Sequence, residues 1–308
     1  MILTALFISA MAPAGLMIAQ VGPNPATGGM PGIPEELRNR PPRRDRADRD
    51  SSEPAPFAPP RNPESRWLSD CLDQLAQDPA RAHTIAQIQR NAVTGADRVL
   101  ANHCLGLASV ELQLWQDALT AFGEARDETP ADEPRMRARF GTMAGLTAST
   151  AGDLERSEAL LRTAKNDAAT AASAPLEAIA SSELARVLVA RGALEEGLVE
   201  LDNATRLQPE IAENWLLKAT LLRRLERFEG TDGARTAIAR AGQLAPDNPL
   251  IALEAGIIAL FSGYEDEARG HWTAVQELAP GSAPAQTAQD YLAQIGPLSD
   301  DAPHQSVP

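Results

Sequence analysis

The sequence is poor in aromatic residues, in cysteine and in lysine. Aromatic residues make up 4% of the 308 residues, so a core must be built mainly from Ala, Leu, Ile and Val. Ala and Leu favour helices because they lose little rotamer freedom there. Alternating runs rich in Val, Thr and Tyr, which indicate strands, are hard to find. We therefore predict that the ordered part of the chain is all-α.

Sequence motifs of common catalytic and phosphate-binding sites are also missing. There is no Gly-rich phosphate loop, no His-Glu-x-x-His and no Gly-x-Ser-x-Gly. The combination that could bind zinc is His103 and Cys104 with Cys71 and His83, but its spacing matches no close-ligand pair. We therefore expect no catalytic residue, no cofactor and no metal. The alternative is an enzyme whose site falls outside known motifs.

Charge is distributed unevenly along the chain. Residues 31–66 hold eight Arg and seven acidic residues, whereas the rest carries 20 basic and 35 acidic residues, a net of −15. Nucleic-acid binding rests on neutralisation of phosphate by Lys and Arg, and anionic membrane surfaces repel an acidic body. We predict no nucleic-acid partner, and membrane contact only through the N-terminal segment if at all.

The N-terminal segment, residues 1–22, has no charged side chain. Its apolar run, interrupted by Pro13 and Gly15, is typical of a bacterial secretory signal with cleavage after Ala19. An uncleaved anchor is the alternative, because the run is nearly long enough to cross a bilayer. The sequence thus predicts a periplasmic protein, or one anchored in the inner membrane and facing the periplasm.

The next segment, residues 23–63, contains eleven prolines and few large apolar residues. Such a composition buries too little apolar surface to offset the entropy lost on ordering. We predict a disordered linker there and a disordered tail at 297–308. Apolar residues at helical spacing begin with Leu68 and Cys71, and predict a helical domain over 64–296.

This domain repeats itself from Val99 onwards. In the first unit, Gly106 is followed by Ala118, Phe122, Ala125 and Pro130. These intervals resemble the tetratricopeptide-repeat pattern W-x2-L-G-x2-Y-x8-A-x3-F-x2-A-x4-P. Five units match in tandem, and four of them close on proline. The two halves of the fourth unit are in register only if the loop around Glu229–Gly233 carries about three extra residues. The predicted bounds are a divergent pair at 64–95, repeats at 99–132, 138–171, 178–211, 212–248 and 249–282, and a capping helix at 283–296.

The resemblance implies a right-handed α-solenoid of antiparallel helix pairs, in which several repeats stack to form one continuous core. It also implies that the first helices of the pairs line a concave face that grips a peptide or helix. By register, this partner-binding face includes His103, Leu107, Arg139, Leu146, Arg186, Arg223, Arg224, Leu253, Ile257 and Phe261.

Three of these residues suggest what the face would bind. Arg186, Arg223 and Arg224 lie in adjacent repeats of an acidic body, and an Arg fork binds carboxylate in two places. We expect a cationic patch that accepts carboxylates of a partner, beside an apolar shelf of Leu253, Ile257 and Phe261. The alternative is that the arginines pair with neighbouring acids such as Glu213 and Glu226.

The two cysteines lie on predicted helices of neighbouring units. In an exported protein, an even number of cysteines indicates a disulfide, here Cys71 to Cys104. Closing a loop of this length stabilises a fold by about 3–4 kcal/mol. Two buried thiols packing as small apolar groups are the alternative.

Taken together, these features predict a non-catalytic scaffold or adaptor of the Gram-negative envelope that binds a partner polypeptide of unknown identity. The alternative is a structural or regulatory subunit of an envelope enzyme or assembly complex, for example in cell-wall assembly, outer-membrane assembly or cytochrome maturation.

Cleavage after Ala19 predicts a mature chain that begins at Gln20. Intact mass spectrometry of the full-length gene product, recovered from the envelope of a Gram-negative host, should give the mass of residues 20–308. The mass of the whole chain would instead support the anchored form.

Overall fold

The computed structural model describes residues 63–295, with side chains from Arg66 onwards. The predicted signal or anchor, most of the linker and the tail lie outside the described residues. Within the described range the chain forms thirteen α-helices and no strand: α1 Pro63–Gln77, α2 Pro79–Ala92, α3 Ala96–Glu111, α4 Trp115–Glu128, α5 Pro134–Thr150, α6 Leu154–Thr170, α7 Ala174–Ala190, α8 Leu194–Leu207, α9 Ala212–Arg224, α10 Ala234–Leu244, α11 Pro249–Phe261, α12 Glu265–Leu278 and α13 Ala283–Ile295.

Each helix packs mainly against the next one along the chain. Further contacts join α1 to α3, α5 to α7, α9 to α11 and α11 to α13. Such nearest-neighbour packing is that of a solenoid, so the predicted all-α array is confirmed. After α2, the first helix of each pair is called the A helix (α3, α5, α7, α9, α11) and the second the B helix (α4, α6, α8, α10, α12). None of these helices within 63–295 is long and apolar enough to cross a bilayer.

The A and B helices of a pair approach most closely where a glycine faces a large side chain. A Cβ atom at Gly106 would lie 2.4 Å from the ring of Phe122, and one at Gly256 would lie 2.2 Å from Nε1 of Trp272. Phe122 and Trp272 are 1% exposed. The spacing of glycine and large residue in these repeats therefore reflects a contact that has no room for a methyl group.

The second repeat has Ser157 where the pattern has alanine. The serine is fully buried, and its Oγ donates a hydrogen bond to the carbonyl oxygen of Gly145, at 2.7 Å. A buried hydroxyl is tolerated when it has such a partner. The substitution therefore keeps the close approach of α5 and α6.

Proline sets the length of the B helices. Helices α4, α8, α10 and α12 end two residues before Pro130, Pro209, Pro246 and Pro280. The residue before a proline is disfavoured in helical conformation. Helix α6 has no such proline and runs for 17 residues, whereas the other B helices have 11 to 14.

Three A helices begin before the predicted repeat starts. Helices α3, α5 and α7 start three to four residues ahead of 99, 138 and 178. The opening position of the repeat pattern lies inside the A helix and does not mark its first residue. Pro134 and Pro175 occupy the first turns of α5 and α7, where the missing N–H is not needed.

The fourth repeat carries an insertion, as its register predicts. Residues 225–233 separate α9 from α10, whereas three residues, 262–264, separate α11 from α12. The first of these loops is six residues longer than the second. Three of the six residues are the predicted insertion. The other three replace the first turn of the B helix, because α10 has 11 residues and α12 has 14.

Replacing Gly256 by alanine should lower the free energy of unfolding by roughly 1–3 kcal/mol, because Trp272 has to move away from the new methyl group. Chemical denaturation followed by Trp fluorescence and circular dichroism measures the effect. Gly270→Ala is the matched control on α12: its Cβ would meet nothing within 4 Å. The control should be more stable than the native protein, by about 0.5–1 kcal/mol. Equal stabilities of the two variants would contradict the packing described above.

Candidate functional site

A groove lies between neighbouring A helices α7 and α9. Its volume is about 230 Å³. Leu201 of helix α8 and Leu221 are buried at its base, and Val189 and Leu217 are half-buried at its sides. The full lining is Ala185, Arg186, Val189, Leu201, Leu217, Thr220, Leu221 and Arg224. The groove therefore offers an apolar surface flanked by two guanidinium groups.

The predicted arginine patch is only partly available to a ligand. Arg186 forms an ion pair with Glu213, as the alternative prediction had it. Arg223 donates from Nε to Glu254 at 2.6 Å, rather than pairing with Glu226. Glu254 is 8% exposed, so this second pair is largely shielded from solvent. Two of the three arginines therefore balance carboxylates of their own chain.

Arg224 differs from the other two arginines. Its side chain is exposed, it lines the groove, and it forms no ion pair with any other described residue. A guanidinium group in this state retains its full capacity for a bidentate bond to a carboxylate. Arg224 is therefore the residue of the predicted patch best placed to bind an acidic ligand.

His103, Leu107 and Arg139 come together at the other end of the A-helix row. The rings of His103 and Phe140 meet edge to face, with centroids 5.4 Å apart, and Leu107 packs against the cluster that contains Phe140. Burial, assisted by the charge of Arg139, lowers the pKa of His103 to about 4. His103 is therefore neutral at pH 7, and its role at this end is packing.

The predicted apolar shelf is divided in the structure. Leu253 and Ile257 are half-buried and pack in a cluster to which α13 contributes Tyr291. Phe261 is 64% exposed and stacks on Phe228 of the loop between α9 and α10, with ring centroids 6.2 Å apart. Leu253 and Ile257 are therefore partly covered by neighbouring side chains, whereas Phe261 is open to solvent. Phe228 was not among the predicted site residues, although it directly precedes the insertion expected around Glu229–Gly233.

Cys71 and Cys104 are joined by a disulfide bond that links α1 to α3. Their Cα atoms are 6.4 Å apart, and both side chains are buried in a cluster with Ala86 and Leu105. Both cysteines are therefore engaged with each other and do not form a zinc site with His103. Over residues 63–295, no group of three or more His, Cys, Asp or Glu side chains is arranged to hold a metal ion.

A second and larger groove, of about 470 Å³, lies between α10, α11 and α12. An ion pair between Arg235 and Glu267, at 3.1 Å, lies at the end where these B helices begin. Burial lowers the pKa of His271 there, and the charge of Glu267 opposes the shift. The sequence analysis did not predict this groove. Its wall is mostly apolar: Ile238, Ala239, Gly242, Pro246, Ile251, Ala252, Ala255, Ile258, Ala259, Ala274 and Leu278.

Solved structures of bacterial proteins share this arrangement of helices. One is PilF of Pseudomonas aeruginosa, with a TM-score of 0.58 and 17% identity over 74% of this chain and 97% of that one. Another is PilW, with a TM-score of 0.59 and 16% identity over 73% of this chain and 98% of that one. The repeat spacing, the close contacts at glycine and the fold of these neighbours all indicate the same kind of helical repeat. The fold is that of a tetratricopeptide-repeat protein.

MamA of Desulfovibrio magneticus RS-1 has a similar array, with a TM-score of 0.51 and 17% identity over 61% of this chain and 99% of that one. No protein-family profile matches the chain. No curated protein matches it either. At 16–17% identity these neighbours establish the fold of the helical array. The candidate binding site is described by the residues of this chain.

The disulfide leads to a prediction about the number of free thiols. Protein produced in the periplasm of an expression host should show no reactive thiol in denaturant before reduction and two after it. A Cys71→Ser, Cys104→Ser double variant should unfold with a free energy about 3–4 kcal/mol lower, because the unfolded chain regains its loop entropy. Two free thiols before reduction would contradict the bond.

Proposed function

We propose that this protein is a non-catalytic adaptor of the bacterial envelope that binds a partner polypeptide along its row of A helices. The observation that carries the proposal is the groove between α7 and α9, where apolar walls adjoin the exposed guanidinium group of Arg224. Few precisely placed polar groups on a mostly apolar cleft are typical of binding sites. The ligand that fits is a segment with an apolar side chain next to a carboxylate.

The distribution of charge supports binding of an acidic group of the ligand at Arg224. The formal net charge is −14, so an acidic partner would be repelled by most of the surface. Arg224 is a local exception without a balancing carboxylate among the described residues. Repulsion elsewhere and attraction at one point give specificity, since wrong positions of the partner are penalised.

The envelope location rests on the signal-like sequence of residues 1–22. The neighbour PilW, described as a widely conserved type IV pilus biogenesis factor, favours the second candidate function. In that case the protein is a structural or regulatory subunit of an envelope assembly complex. The two functions differ in stoichiometry, because a subunit has one constant partner and an adaptor need not.

Affinity capture from crosslinked cells tests the proposal. The native protein should capture a partner polypeptide. The Arg224→Glu variant should capture at least tenfold less of it, because charge reversal repels the carboxylate. Arg156→Glu is the matched control: Arg156 is exposed, lies on B helix α6, and the net charge changes equally. Arg223 is left intact, since its reversal would leave Glu254 buried opposite another carboxylate.

The control separates the site from general charge effects. Equal loss with both variants would mean that net charge decides capture, and an unchanged yield with Arg224→Glu would refute the groove as the binding site. A single partner in constant ratio would favour the subunit function. Recovery of the protein in the cytoplasmic fraction alone would refute the envelope location.

A further inference from the structure

The long loop of the fourth repeat, residues 225–233, carries the three extra residues and is called the insertion as a whole from here on; it contacts the repeats on both sides of it. Arg227 donates to both carboxylate oxygens of Glu195 on α8, at 2.8 and 3.1 Å. Phe228 stacks on Phe261, the last residue of α11. A loop that only connected two helices would need neither contact. The insertion is therefore built into the array.

Hydrogen bonds fix the conformation of this loop. The carbonyl oxygens of Arg227 and Phe228 accept from the backbone N–H groups of Ala234 and Arg235, at 2.8 and 3.1 Å, at the start of α10. Gly230 has a φ of +97°, which favours glycine. The ring of Phe228 is therefore held in place before any ligand binds, which lowers the entropic cost of binding.

Two exposed aromatic side chains, Phe261 and Tyr264, lie beside the insertion, and the half-buried Phe228 belongs to it. These three residues are named the aromatic shelf. Phe261 is 64% exposed and Tyr264 is 45% exposed, and the guanidinium group of Arg235 lies 4.0 Å from the centre of the tyrosine ring. The whole sequence has 12 Phe, Trp and Tyr residues, so a quarter of them lie here. Aromatic anchors dominate binding energy at protein interfaces, and insertions in repeats often line the binding face.

The charges around the aromatic shelf are mostly negative. Glu226 and Asp232 of the insertion and Asp266 of α12 are exposed and form no ion pair within residues 66–295. The nearby cations Arg227 and Arg235 are balanced by the carboxylates they contact. Arg224, which directly precedes the insertion in the sequence, lines the separate groove between α7 and α9. The surplus of unpaired carboxylates favours a basic ligand.

We propose that the aromatic shelf is a second interaction surface, which binds a partner segment carrying basic side chains next to an aromatic or aliphatic one. A cation placed over the open face of Phe261 gains cation–π attraction, and the apolar neighbour covers Phe228. The unpaired carboxylates attract the same segment and repel acidic ones. This surface is distinct from the groove at Arg224, which takes a ligand of opposite charge.

Three fluorescein-labelled peptides of equal length test the proposal by fluorescence anisotropy: repeats of Lys-Phe-Ser, of Glu-Phe-Ser and of Lys-Ser-Ser. The Lys-Phe-Ser peptide should bind at least tenfold more tightly than the other two, since it alone combines charge and aromatic surface. The variant Phe261→Ala should weaken its binding at least tenfold. Ile88→Ala, which removes a side chain of 65% exposure from α2, should leave it unchanged.

A pair of charge variants distinguishes the aromatic shelf from the acidic body as a whole. The triple variant Glu226→Gln, Asp232→Asn, Asp266→Asn should weaken binding of the Lys-Phe-Ser peptide severalfold. The triple variant Glu111→Gln, Glu155→Gln, Asp247→Asn removes the same charge from exposed positions elsewhere, and it should not weaken binding of this peptide.

Several results would overturn the proposal. They are equal effects of the two triple variants, an undiminished affinity of Phe261→Ala with native circular dichroism, binding of Glu-Phe-Ser as tight as that of Lys-Phe-Ser, and no binding of any of the peptides. The Arg224→Glu variant should bind Lys-Phe-Ser as tightly as the native protein or more tightly. A failure of the proposed binding site at the α7–α9 groove can therefore be told apart from a failure of the aromatic shelf.

Discussion

The contact of a small residue with a large one inside each helix pair is the constraint on which the rest of this structure depends. In the first, second and fifth pairs, a glycine of the A helix faces Phe122, Leu161 or Trp272 of the B helix so closely that a single Cβ atom would overlap the large side chain. This contact fixes the distance and the rotation of the two helices, since close-packed interiors do not yield to an added methyl group. With the rotation fixed, each helix turns the same face towards the next repeat.

Contacts between repeats follow from that fixed rotation. Charged side chains about one repeat apart meet between successive B helices, as in Arg126 with Asp167 at 2.8 Å and Lys165 with Glu200 at 2.6 Å. Pairs of this kind contribute modestly to stability, because desolvation offsets much of their attraction. Together with ion pairs of other geometry, such as Arg223 with Glu254, they engage just over half of the basic residues among 66–295. Arg224 is informative because it is exposed and outside this network.

The two functional proposals rest on different parts of the array. The pattern is kept where α7 and α9 meet, and there a groove is lined by Arg224, which has no ion pair among the described residues. The pattern is broken in the fourth repeat, and there the insertion places Phe228 on Phe261. Local violations of a consistent fold are often the places where function is found. The two proposed surfaces would prefer ligands of opposite charge, so one partner could engage both only through segments of different composition.

The sequence by itself determined the helical class, the number of matched repeats, the three-residue insertion and the spacing of the two cysteines, because these depend on periodicity and on local chemistry. The tertiary structure decided which candidate residues are available. Arg186 and Arg223 meet carboxylates about 30 residues away, Leu253 and Ile257 pack in a cluster completed by α13, and Phe261 finds its partner in the insertion. A repeat pattern places a side chain on a face. It cannot state which charge or ring the neighbouring repeat brings to meet it, since that depends on packing between residues distant in sequence.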